Sequence, residues 1–197
     1  MSTDDIIKGK SAVVVDTSAS HTVRLKKPSE SRWTRPSPGW VKLNFDGSVK
    51  MENGSAGAGM ILRNENGGIV FSACRQLVNC LDPLEAEARA CEEGLKLALQ
   101  LSDKQIIMES DCAGLVTAVL EKGQDRSYLT QIISEIKFLM QGTRVISFVK
   151  VDRTQNRVSH CLANLARADS RTMVWLGAGP ECVHRALDLD LLVSPDA

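Results

Sequence analysis

The chain has 197 residues, 43% of them hydrophobic, and its 24 Lys+Arg are balanced by 24 Asp+Glu. That is enough apolar material for one domain with tails. The zero net charge excludes a global basic field, so a nucleic-acid partner has to be held by local patches and metal.

Residues 1–37 are rich in Ser, Thr, Lys and Pro, show little periodicity, and read as a flexible N-terminal arm. Asp4, Asp5 and a short apolar run at 12–15 do not make a signal peptide, and no segment is long enough to cross a bilayer. The arm ends in Lys26, Lys27, Arg32 and Arg35, which suit either a solvated linker or a nucleic-acid contact. Trp33 and Trp40 flank the stiff turn Pro36-Ser37-Pro38-Gly39 at the domain edge.

From Trp40 the pattern changes, and residues 38–170 read as one domain. Val41, Leu43 and Phe45 alternate as a strand; a loop rich in Gly and Asn follows at 47–57. Strands are expected at 58–63 and 69–75, joined through Asn64-Glu65-Asn66-Gly67-Gly68, a hairpin signal. A long helix opens after Asp82-Pro83. Then come a strand to about 110, helices at 112–120 and 127–141, a strand at 144–151 and a helix at 154–168. Residues 171–197 form a tail partly packed on the domain through Trp175 and Leu187. Three strands followed by helix–strand–helix–strand–helix imply an α/β fold with a mixed sheet covered by helices. The six cysteines, at 74, 80, 91, 112, 161 and 182, include no Cys-x-x-Cys pair. They read as reduced thiols of an intracellular protein, nuclear or cytoplasmic, rather than as a zinc site or a disulfide framework.

On the long helix, Glu92, Glu85, Lys96, Arg89, Gln100 and Glu93 fall on one polar arc, and Glu87 is the only charge on the apolar remainder. A lone carboxylate facing a core is costly unless it is paired or holds a metal. A buried ion pair with an arginine from elsewhere is the structural alternative. Glu85, by contrast, is expected to face solvent and pair with Arg89. Asp46 and Asp111 each end an apolar strand. Carboxylates converging on one point repel unless cations sit between them, and hard oxygen ligands favour Mg²⁺ or Mn²⁺.

Phe45-Asp46-Gly47-Ser48, Ala86-Glu87-x-x-Ala90, Glu109-Ser110-Asp111 and Asn156-x-x-x-His160-x-Leu162-Ala163 occur in the order and element context of ribonuclease H. The chain resembles the ribonuclease H-like domains related to retroelement reverse transcriptases, abundant in plants. The resemblance implies a ribonuclease H-like fold: a five-stranded mixed sheet, three antiparallel strands then two parallel, with helices on both faces. It implies two Mg²⁺ or Mn²⁺ ions held by Asp46, Glu87, Asp111 and His160, the last standing where the family usually has Asp. It places Gly47, Ser48, Asn53 and Asn156 against substrate.

Two functions follow. In the first, the protein is an endonuclease that cuts the RNA strand of an RNA–DNA hybrid, acting as a monomer, with one metal activating water and the other stabilising the departing 3′ oxygen. In the second, the fold is a nucleic-acid-binding module in which cutting is weak or lost; His160 and the balanced charge favour it. A phosphotransferase with a single aspartate nucleophile leaves Glu87 unexplained.

Overall fold

The computed structural model describes residues 12–16, 24–26, 32–121 and 127–191. In chain order these form β1 (Ala12–Asp16), β2 (Arg24–Lys26), β3 (Trp40–Lys50), β4 (Ser55–Arg63), β5 (Ile69–Leu77), α1 (Pro83–Leu101), β6 (Gln105–Ser110), α2 (Ala113–Leu120), α3 (Thr130–Met140), β7 (Ile146–Lys150), α4 (Arg157–Asp169), β8 (Met173–Leu176) and α5 (His184–Leu191). The strands make one eight-stranded sheet in the order β2-β1-β7-β6-β3-β4-β5-β8. Its centre is the expected five: β3, β4 and β5 antiparallel, with β6 and β7 parallel to β3. Three strands extend that sheet. Two short segments of the stretch read as an arm pair with each other and with β7, and β8 of the tail pairs with β5. Residues 1–11, 17–23, 27–31, 122–126 and 192–197 lie outside the described residues.

Alternation along β3 divides the molecule. Val41, Leu43 and Phe45 enter a large core with Ala86, Ala90, Cys91 and Leu95 of α1 and Ile133, Ile136 and Met140 of α3. Asn44, Asp46 and Ser48 point to the opposite face, where α4 and α5 pack over a smaller cluster of Ile61, Cys74, Val158, Leu162, Ala166, Val183 and Ala186. Trp175 and Leu187 lie against this second cluster.

The segment read as a glycine-rich loop is a hairpin. β3 runs on to Lys50, the chain turns over residues 51–54, and β4 starts at Ser55. Gly54 serves the turn at φ +68, but Gly47 and Gly57, and Gly59 just beyond, answer to helix packing. A Cβ on Gly47 would sit 2.4 Å from the backbone of Ala86 and Glu87, and one on Gly59 would sit 2.2 Å from the α4 backbone at Ser159 and Ala163. Residues without a side chain let both helices approach the sheet, and so set where Glu87 and His160 stand.

Helix α1 starts as its sequence requires. Asp82 accepts the Glu85 N–H at 2.9 Å, and Pro83 occupies the first turn. Glu85 pairs with Arg89 at 3.1 Å as expected, but it is not on a solvent face. It is only 7% exposed, because its other oxygen accepts the Leu81 N–H at 2.8 Å and folds back over the helix start.

Candidate metal centre

Asp46 comes from the middle of β3, Asp111 from the residue after β6, and Glu87 from the second turn of α1. β3 and β6 are parallel neighbours with Asn44 opposite Glu109, so their register sets Asp46 and Asp111 side by side. One oxygen from each of Asp46, Glu87 and Asp111 lies within 4.8 Å of the others. Asp46 and Glu87 are buried and Asp111 is half-buried. Among the described residues Glu87 has no arginine or lysine within salt-bridge distance, so the ion-pair explanation of its burial fails. Its Oε2 is buried with no hydrogen-bond partner.

Burial, and then the charges of Asp46 and Asp111, push the Glu87 carboxyl up from its usual 4.5 to about 10. Without a cation it therefore holds a proton at neutral pH. A cation between the three groups reverses that balance and supplies the orphaned oxygen with a partner. An all-oxygen, anionic donor set suits a hard divalent ion.

His160 is on α4, with Nδ1 2.9 Å from Asp46 Oδ2. Its Nε2 lies 3.2 Å from an Arg153 guanidinium nitrogen and 3.0 Å from Asn164 Nδ2. Arginine can only donate, so Nε2 must accept, and Nδ1 then carries the proton and donates to Asp46. The orientation of Asn164 agrees: its Oδ1 accepts from Ser48 Oγ at 2.9 Å, and Ser48 Oγ accepts from Arg167 Nε at 2.8 Å. A chain of donors thus runs from Arg167 through Ser48, Asn164 and His160 to Asp46.

A second chain holds Asp111. Asn156 Nδ2 donates to Asp111 Oδ1 at 2.6 Å and to the Phe45 carbonyl at 2.9 Å. Its Oδ1 accepts from Ser159 and from Asn44, whose own Oδ1 accepts from Arg63. Arg63 is 1% exposed; it bonds Asp190 of α5 at 2.7 Å and lies 3.5 Å above the Trp33 ring. Buried polar groups need such partners, and this network ties the tail helix to the site.

Of the residues expected against substrate, only Asn53 is exposed, at the β3–β4 turn, where it accepts from Ser55. Gly47 packs on α1, and Asn156 is 1% exposed. Asn164, Asn44, Arg63 and Arg153 escaped the sequence reading. The signal for Asn164 was its position one helical turn past His160; that for Asn44 was its place two residues before Asp46.

A family model described as reverse transcriptase-like matches residues 44–166, which span Asp46, Glu87, Asp111 and His160. The chain belongs to the reverse transcriptase-like family. A protein of Arabidopsis thaliana named, by inference, as a ribonuclease H protein is 28% identical over 162 residues, 82% of this chain and 26% of that protein. The chain therefore spans about a quarter of that relative's length. Ribonuclease H1 of the halophilic archaeon Halobacterium salinarum superposes with a TM-score of 0.61 at 23% identity, covering 66% of this chain and 98% of that one. LC11 ribonuclease H1, solved in complex with an RNA/DNA hybrid, gives 0.51 at 21% identity over 66% and 98%. The reverse transcriptase-like chain described here is thus a ribonuclease H-like domain, and no helix among its described residues is long and apolar enough to cross a membrane.

Proposed function

We propose that this domain is a metal-dependent endonuclease that hydrolyses the RNA strand of RNA–DNA hybrids. The observation that carries the proposal is the meeting of Asp46, Glu87 and Asp111 oxygens within 4.8 Å, with one oxygen buried and unpartnered. Asp46, Glu87 and Asp111 would hold the metal, two Mg²⁺ or Mn²⁺ ions on this reading. Bound there, the ions supply charge stabilisation to an attacking water and a departing 3′ oxygen. The chain's own contribution is to fix the carboxylates before substrate arrives. His160 donates to Asp46 Oδ2; on this reading it orients Asp46, and fourth-ligand duty requires it to give up that bond. Asn156 does the same for Asp111. Ser48 and Asn53 lie beyond Asp46 along the β3–β4 hairpin, where the bound strand would pass. Choice of RNA over DNA rests on contacts to the 2′-OH.

The test is cleavage of a labelled RNA–DNA hybrid, double-stranded RNA and double-stranded DNA with Mg²⁺ or Mn²⁺. The expected result is cutting of the hybrid's RNA strand, abolished by EDTA. Cleavage that survives EDTA, or that is equal on all duplexes, removes the proposal. Binding without cutting under either ion supports the module reading instead.

A further inference from the structure

A cavity of about 430 Å³ opens between the start of α4 and the C-terminal segment that carries α5. Roughly 300–1,000 Å³ is the usual range for sites that seat a small ligand or a monomer unit. Arg153, Arg157 and Arg185 line it, and the apolar part of its wall comes from Cys161, Ala186 and Leu189. None of the three guanidiniums has an ion-pair partner among the described residues. Asp190, whose carboxylate senses Arg157, is committed to Arg63 at 2.7 Å. In a chain of zero net charge, this is a local excess of cations around one hollow. Guanidinium forks match phosphate oxygens in pairs, and an apolar wall suits the face of a sugar.

The cavity adjoins the carboxylates. His160 lines it, and the same ring bonds Asp46 on one side and Arg153 on the other. A strand with one phosphate at Asp46, Glu87 and Asp111 would run past His160 into the hollow. Much of the hollow lies outside the family match at 44–166, since Arg185, Ala186 and Leu189 belong to α5.

We propose that this cavity is a subsite for the strand being cut, taking the sugar–phosphate unit beside the scissile phosphate, with Arg157 and Arg185 on the phosphate. The inference rests on the nuclease reading for its orientation, but its test separates the two. Binding of a fluorescein-labelled RNA–DNA hybrid is measured by anisotropy in EDTA across salt concentrations for the wild type, Arg157→Ala/Arg185→Ala and the control Arg75→Ala. Arg75 is a cation on β5, paired with Glu93. The double variant should lose about tenfold in affinity near physiological salt and reduce the log–log salt slope by about 1–2, as expected for two lost phosphate contacts. In the cleavage assay its KM should rise by more than its kcat falls. The wild-type protein supplies an independent readout: Cys182 is exposed and lines the cavity, so saturating hybrid should slow its maleimide labelling several-fold, read by peptide mass spectrometry. Equal losses in Arg75→Ala, an unchanged double variant, or unprotected Cys182 would each overturn the subsite. Cutting with an unchanged double variant removes the subsite and leaves the nuclease. Binding through these arginines without cutting removes the nuclease and leaves the cavity as a sugar–phosphate binding site.

Discussion

Glu87→Gln should stabilise the metal-free protein while destroying its activity. The folded state raises the Glu87 carboxyl from 4.5 to about 10, whereas the unfolded chain titrates it at its usual value. A group with a raised folded pKa contributes fully below the unfolded value and loses that contribution as pH rises toward the folded one. At pH 7 the folded wild type keeps a proton that the unfolded chain releases. Over about 2.5 pH units, at roughly 1.4 kcal/mol per unit, this costs about 3 kcal/mol relative to acid conditions. Glutamine has no such cost, and its amide can donate to the adjacent Asp46. The variant should therefore match the wild type near pH 4.5 and exceed it by about 1–3 kcal/mol at pH 7, or about 2–12 °C in Tm for a chain of this size. Thermal melts in EDTA between about pH 4.5 and pH 8 measure it, and added Mg²⁺ should shrink the gap by favouring the charged glutamate. A difference that is flat with pH, or a variant less stable at every pH, would refute the reasoning and make Glu87 a structural partner.

Asp46→Asn should reduce hybrid cleavage by at least a hundredfold, about 3 kcal/mol of transition-state stabilisation. Glu85→Gln should instead cost about 1 kcal/mol in a urea melt through its weakened bonds to Arg89 and the Leu81 N–H, with cleavage within about threefold of wild type. Gly59→Ala should destabilise by about 3 kcal/mol or more, because its Cβ would meet the α4 backbone at 2.2 Å; an unchanged melting curve would show that α4 is free to shift. His160→Asp should lower the Mg²⁺ concentration for half-maximal cleavage, since a carboxylate beside Asp46 adds an oxygen ligand and a charge. Superimposable Mg²⁺ titrations would remove His160 from the ligand set.

The central sheet and the carboxylates were legible because they depend on local periodicity. Alternation in Val41, Leu43 and Phe45 marks β3, and a lone acid on the apolar arc of α1 marks Glu87 whatever it packs against. Glu85 misled because a helical wheel knows its own helix only. The bond from Leu81, before the helix start, is what covers Glu85. The stretch at 47–57 misled for a related reason. Glycine reads as a turn in sequence, whereas Gly47 and Gly57 are set by helices that arrive later in the chain.

What the sequence by itself determined is the order of elements from β3 to α4 and the identity of the acids, since propensity, capping and hydrophobic period act over a few residues. What only the tertiary structure decided is everything joining residues distant in the chain. It brought three carboxylates from β3, α1 and the end of β6 to one point. It turned His160 of α4, and Asn156 just before that helix, onto Asp46 and Asp111. It added β1, β2 and β8 to the sheet edges and latched α5 through Arg63 and Asp190. Those contacts depend on how two helices close on a twisted sheet, a distance set by small residues on both surfaces and by no local pattern.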